Sequence, residues 1–233
     1  NVPMLYPNIE EIMQILKEEG VKIVFTSAGN PKTWTPFLKE NGITVVHVVS
    51  SSKFALKAQE AGVDAVVAEG FEAGGHNGRE ETTTLTLIPM VREQISIPLI
   101  AAGGIATGEQ MAGIMAMGAD GVWCASVFLP TNEAETSENI KQKMVAASSS
   151  ETVRSKSRTG KHSRQLKSPW TDAWESKNAP EPLPMPLQTI VSEPALRVVR
   201  DQAEIGHEGA KKLETYWVGQ GIGLVNESIS AGQ

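Results

Sequence analysis

The chain has 233 residues, 40% of them hydrophobic and 21% charged, with a formal net charge of −6. Its length suits one barrel-sized domain or two small ones, and the acidic balance argues against nucleic acid or an anionic membrane as the main partner. The single cysteine, Cys124, excludes an internal disulfide and a cysteine-based zinc site; with no apolar run near the ~18 residues that span a bilayer, a reducing cytoplasm is the expected compartment.

Asn1-Val2-Pro3 reads as a strand end entering a turn, with no charged-then-apolar leader before it, so the chain is expected to begin inside a longer protein. Ile9, Ile12, Met13, Ile15 and Leu16 recur at helical spacing between Asn8, a candidate N-cap, and Gly20. A short strand follows over residues 21–25 and a second helix over 33–41. The strand ITVVHVV at 43–49 has His47 as its one interruption, a core or rim histidine. Residues 52–61 are predicted helical and lead into the apolar run at Val63.

That run, from Val63 to Ala68, suits a strand buried on both faces of a parallel sheet. It ends at Glu69-Gly70, after which Gly74, Gly75 and Gly78 flank His76 and let main chain approach a ligand closely. A lone histidine in a glycine loop is more often a solvated side chain than a catalyst. Its place at the C-terminal end of a strand, where α/β proteins carry their sites, argues for the second role.

A helix over 84–95, the strand PLIAAGG from Pro98, a methionine-rich helix after Thr107 and a strand over 121–128 continue the alternation. Connections of two to six residues between these elements specify parallel βαβ units. Gly103-Gly104 and Ala125-Ser126 close the last two strands, where a (β/α)₈ barrel commonly binds phosphate. Beyond Thr131 a helix is predicted over 133–147, then a basic polar stretch over 156–167. A proline-tryptophan segment over 169–186 follows, unsuited to a sheet interior and able to lie across a barrel mouth. Residues 187–210 read as partly helical. The late GQGIG lacks a preceding strand and an acidic partner, so a lid or capping loop suits it better than a dinucleotide fingerprint.

The combination of EGFEAGGHNGR, PLIAAGGIATG and MGADGVWCASVF resembles the nitronate monooxygenase family of flavoproteins, mainly over residues 1–130. The resemblance implies an α/β (β/α)₈ TIM-barrel fold. Five strands are readable here against eight in the family, so the barrel is expected to be incomplete, its first strands preceding Asn1. Residues 1–130 would form the C-terminal part of an FMN-binding barrel, and 131–233 a helical, proline- and tryptophan-rich extension or lid. Alone, such a chain is expected to fold poorly or bind FMN weakly.

The resemblance also implies a site. His76 matches the family's catalytic histidine, Gly103 and Gly104 its phosphate-contacting glycines, and Asn1 an asparagine near flavin and substrate. Gly74 and Gly75 would let His76 reach over the flavin. Ala125 and Ser126 stand where the family has Gly-Thr, and Glu69 is a candidate for the flavin's polar edge or for orienting His76. The implied reaction is oxidation of a small alkyl nitronate with O₂, with FMN as cofactor, no metal and a homodimer as one admissible assembly. An FMN-dependent enoyl-acyl-carrier-protein reductase, an NADH:quinone reductase and a non-enzymatic flavin-binding fragment stay open beside it.

Overall fold

The computed structural model describes residues 1–233. In chain order its elements are β1 (Val2–Pro3), α1 (Ile9–Glu18), β2 (Ile23–Ser27), α2 (Pro31–Glu40), β3 (Thr44–Val49), α3 (Ser52–Glu60), β4 (Ala65–Glu69), β5 (Gly75–His76), α4 (Thr84–Arg92), β6 (Leu99–Ala102), α5 (Gly108–Ala116), β7 (Gly121–Trp123), α6 (Glu138–Ala146), β8 (Thr152–Ser155), β9 (Ser163–Leu166), α7 (Pro169–Trp174), α8 (Leu187–Glu204) and α9 (Glu208–Leu213). Short 3₁₀ turns lie at Ser126–Phe128, Ser149–Glu151 and Gln220–Leu224. No helix is long and apolar enough to cross a membrane. The chain divides into two compact units. The first comprises Asn1–Phe71, Gly78–Ala102 and Gly108–Trp123; the second comprises Glu72–Asn77, Gly103–Thr107 and Cys124–Gln233.

The first unit is a six-stranded, wholly parallel sheet in the order β1-β2-β3-β4-β6-β7. Alternation along β4 sends Ala65 and Val67 to one face, where they cluster with Val46 and Ala102 and with the half-buried Phe25, Val48, Ile100 and Trp123. Val66 and Ala68 face the other way, under α3 and α4, which contribute the buried Ala55, Ala58, Leu87, Ile88 and Val91. The rings of Phe25 on β2 and Trp123 on β7 lie 5.1 Å apart, centroid to centroid. Four strand spacings separate β2 from β7, about 19 Å in a flat sheet, so the sheet must curl around this apolar face. Curling of that kind is what a TIM-type βα succession produces.

Local chemistry sets the element ends. Asn30 Oδ1 accepts from Lys32 N–H ahead of Pro31 at the start of α2, and Ser51 Oγ accepts from Phe54 N–H to start α3. Asp64 and Asp120 repeat one device: each carboxylate accepts from an amide near the start of the neighbouring strand, Val45 N–H and Leu99 N–H, both at 2.8 Å, and pairs with Lys39 or Arg92. His47 is a core histidine, as its apolar context predicts. Its Nδ1 meets Thr26 Oγ1 at 2.8 Å, and burial lowers its pKa to about 4.

One expectation is met and one needs correction in this unit. The strand end read at Asn1-Val2-Pro3 is β1, whose Val2 and Pro3 pair with Thr26 and Ser27 and add a sixth parallel strand to the five counted from sequence. The last strand stops at Trp123 rather than running on to Phe128, because Ala125, at φ −126° and ψ −58°, turns the chain into the 3₁₀ turn at Ser126.

The second unit is built on a three-stranded antiparallel sheet, β5-β9-β8. Ile140, Met144, Leu166, Val218 and Ile222 form its apolar core. The basic stretch over 156–167 therefore supplies a strand, and the first proline of the proline-tryptophan segment, Pro169, opens α7, with the Trp170 and Trp174 rings 6.2 Å apart.

Candidate active site

The two glycines before His76 are required for different reasons. Gly75 sits at φ 77°, in the left-handed region, whereas a Cβ on Gly74 would lie 2.7 Å from the Val218 carbonyl carbon. β5 is thereby pinned as an edge strand, Gly75 opposite Arg164 and His76 opposite Ser163. His76 Nε2 lies 2.8 Å from Thr159 Oγ1, and its ring is 6.2 Å from that of Trp217, tilted by 49°. Trp217 is itself fixed: its Nε1–H donates to Ser163 Oγ at 3.1 Å, and the Arg158 guanidinium stands 4.0 Å from its ring centroid. The residue His76 is exposed overall. Burial of part of its ring and then the Lys161 ammonium hold its pKa below the ordinary histidine value, so the imidazole is neutral at pH 7. Next to it, Asn77 Nδ2 donates to Ala73 O at 2.7 Å while its buried Oδ1 has no hydrogen-bond partner.

Four loops of the second unit meet at a junction made of glycine backbone. A Cβ on Gly221 would fall 2.6 Å from Gly104 O, one on Gly219 2.7 Å from Glu72 O, and one on Gly104 2.8 Å from Glu72 Cβ. Gln220 N–H donates to Glu72 O, and Gly219 N–H donates to Ser126 Oγ, each at 2.8 Å. The late GQGIG turn thus brings Gly74, Gly104 and Ser126 together. Its glycines are there for close packing, not for a dinucleotide.

An anion suits this junction. Ser126 Oγ accepts from Gly219 and keeps its own proton to donate. The Ser126 and Val127 amides open a 3₁₀ turn and so have no acceptor within it. Gly103, at φ 109°, carries no Cβ to hold a ligand away from the main chain, whereas the Cβ position of Gly104, at φ 71°, is occupied by the Glu72 side chain. The alanine at 125 costs no backbone strain, since φ −126° is open to any residue. These features fit a flavin phosphate.

Of the nine residues that sequence singles out, Gly74, Gly75, His76, Gly103, Gly104, Ala125 and Ser126 belong to the second unit, and Asn1 and Glu69 to the first. Asn1 is exposed ahead of β1, an edge strand of the parallel sheet. Glu69 ends β4 on the face of Ala65 and Val67, opposite Ala102. Within the second unit the side-chain partner of His76 is Thr159. Sequence reasoning missed Thr159, Ser163 and Trp217 altogether.

Burial pushes the Glu69 carboxyl up to about 7. The folded protein then keeps a proton that the unfolded chain releases near its ordinary value of 4.5. Stability is therefore lost as pH rises from about 4.5 to about 7, by up to about 3 kcal/mol. Replacing Glu69 by Gln removes that loss. The thermal midpoint of Glu69→Gln is expected to gain on wild type between about pH 5 and pH 7, the His47 contribution being common to both; a pH-independent difference would exclude this assignment.

Among known proteins, the model of the nitronate monooxygenase family matches residues 5–233. A Mycobacterium tuberculosis protein provisionally named a monooxygenase is 41% identical over 228 residues, covering 95% of this chain and 59% of that protein. A Bacillus subtilis protein provisionally named a nitronate monooxygenase is 29% identical over 231 residues, 96% of this chain and 65% of its own. FabK of Thermotoga maritima has the same fold with a TM-score of 0.82, at 34% identity, over 99% of this chain and 70% of its own. The nitroalkane oxidase of Streptomyces ansochromogenes gives 0.81 at 26% identity, over 96% of this chain and 64% of its own. The chain thus spans 59% to 65% of the length of the two sequence relatives.

Proposed function

Because the chain belongs to the nitronate monooxygenase family, a family of flavin-dependent oxidoreductases, we propose that it carries the FMN-binding and acid–base part of an enzyme that oxidises small alkyl nitronates with O₂ in the cytoplasm. The observation that carries this reading is His76, a neutral imidazole held between Thr159 and Trp217 in the unit that also contains the glycine junction.

Gly103, Gly104, Ala125 and Ser126 would hold the flavin phosphate through main-chain amides and the Ser126 hydroxyl. Gly74 and Gly75 would keep main chain close to the ring, with Asn1 and Glu69 contributing to the ring and substrate side. Glu69, titrating near 7, can donate a hydrogen bond when protonated and accept one when ionised. Bound flavin supplies the electron acceptance from the nitronate and the reaction with O₂. Where the substrate arrives as the neutral nitroalkane, His76 would take its α-proton to give the nitronate that the flavin oxidises and, once protonated, would stabilise that anion.

The test is a spectrum of the flavin-loaded protein under anaerobic conditions. Propionate 3-nitronate alone is expected to bleach the flavin. Bleaching by NADH with no response to nitronate would instead assign the reductase reading that FabK-like chemistry represents.

A further inference from the structure

The Thr159 hydroxyl has one proton and faces Lys161 O at 3.1 Å, Lys161 N–H at 3.3 Å and His76 Nε2 at 2.8 Å. A carbonyl cannot donate, so only the arrangement in which Oγ1–H donates to Lys161 O satisfies all three contacts, with Oγ1 accepting from Lys161 N–H and from His76 Nε2–H. In that arrangement Nδ1, with no protein hydrogen-bond partner, carries the lone pair.

The turn that carries Thr159 is braced on both sides. Gly160, at φ 78°, has its backbone so close to Leu183 that a Cβ would lie 1.9 Å from Leu183 O, and Gly160 N–H donates to Lys156 O at 2.8 Å. From α8, Gln188 Nε2 donates to Ser157 O at 2.9 Å and Ser192 Oγ to Arg158 O at 2.6 Å. Thr159 itself is buried. A hydroxyl held this firmly selects a tautomer; one on a free loop would follow the ring.

We propose that Thr159 is a positioning residue that locks His76 as the Nε2–H tautomer, so that Nδ1 is the atom that takes the substrate proton. This rests on the reading of His76 as the acid–base group. It adds a partner 83 residues away in the chain that the glycine–histidine motif does not contain.

The experiment uses the whole flavin-loaded protein with ¹⁵N-labelled histidine, at a pH where the ring is neutral, the His76 signals being assigned by their loss in His76→Ala. Wild type is expected to show a pyrrole-type Nε2 and a pyridine-type Nδ1. Thr159→Val keeps the side-chain shape without the hydroxyl; it is expected to mix the two tautomers and, with a neutral nitroalkane as substrate, lower kcat by about tenfold or more, with KM little changed. Thr159→Ser restores both. A wild-type proton on Nδ1, or a valine variant with wild-type tautomer and kcat, overturns the proposal. Should the valine variant fail to fold, the wild-type spectrum decides alone. Full turnover in His76→Ala would overturn the acid–base reading itself, an outcome independent of the nitrogen spectrum.

Discussion

Replacement of His76 by alanine is expected to lower turnover of a neutral nitroalkane by about 10²- to 10⁴-fold, the usual contribution of a positioned acid–base group, with flavin still bound. The expectation follows from where the ring is held. β5 is an edge strand fixed by Ser163, so its backbone does not depend on the imidazole. The pH dependence has a definite sign. With its pKa held below the ordinary ~6.5 by burial and Lys161, His76 is the free base at neutral pH. The rate should therefore fall as pH drops through the acidic range in which His76 takes up a proton, and measuring kcat/KM in a Glu69→Gln background removes Glu69, which titrates near 7. Unchanged turnover in the alanine variant would remove His76 from the chemistry.

Gly221→Ala should have the second largest effect, on flavin binding. The added Cβ would meet Gly104 O at 2.6 Å and Gly104 C at 2.9 Å, both backbone atoms that cannot rotate aside. Either the Gly103–Thr107 loop or the Gln220–Leu224 turn must shift, at a cost of about 1–3 kcal/mol for overpacking. Since that junction also positions Ser126 through Gly219, flavin affinity is expected to fall about tenfold or more in a fluorescence titration. Gly113→Ala is the control: in α5 nothing lies within 4 Å of the added Cβ, and both affinity and folding should hold. Equal flavin affinity in the two variants would contradict the assignment of the junction.

The parallel sheet was legible because its longer strands are short runs rich in small or β-branched residues, β4 and β6 being closed by Gly70 and Gly103, and its helices are amphipathic segments between turn residues. β8 and β9 were not. Ser163, Arg164 and Gln165 are all buried yet polar, so the strand shows no apolar alternation to read. Their burial is satisfied by contacts distant in sequence, such as Gln165 Nε2 to Ser157 Oγ at 3.2 Å and Thr215 Oγ1 to Gln165 Oε1 at 3.3 Å. The same distinction divides the site. Gly74, Gly75 and His76 announce themselves as a strand-end motif, and Gly103-Gly104 repeats it. Thr159 and Trp217 reach His76 only because the second unit folds the chain back on itself, and neither sits in a local pattern. The late glycine turn was visible as glycines, but its role lies in the carbonyls it packs against, Glu72 O and Gly104 O, which carry no sequence signal.

A structure of the protein with FMN bound tests the central claim most directly. The phosphate is expected within hydrogen-bond distance of the Ser126 hydroxyl and the Gly103–Gly104 main chain, with the His76 imidazole over the flavin ring and still bonded to Thr159. A phosphate bound elsewhere, or a His76 ring turned away from the flavin, would contradict it.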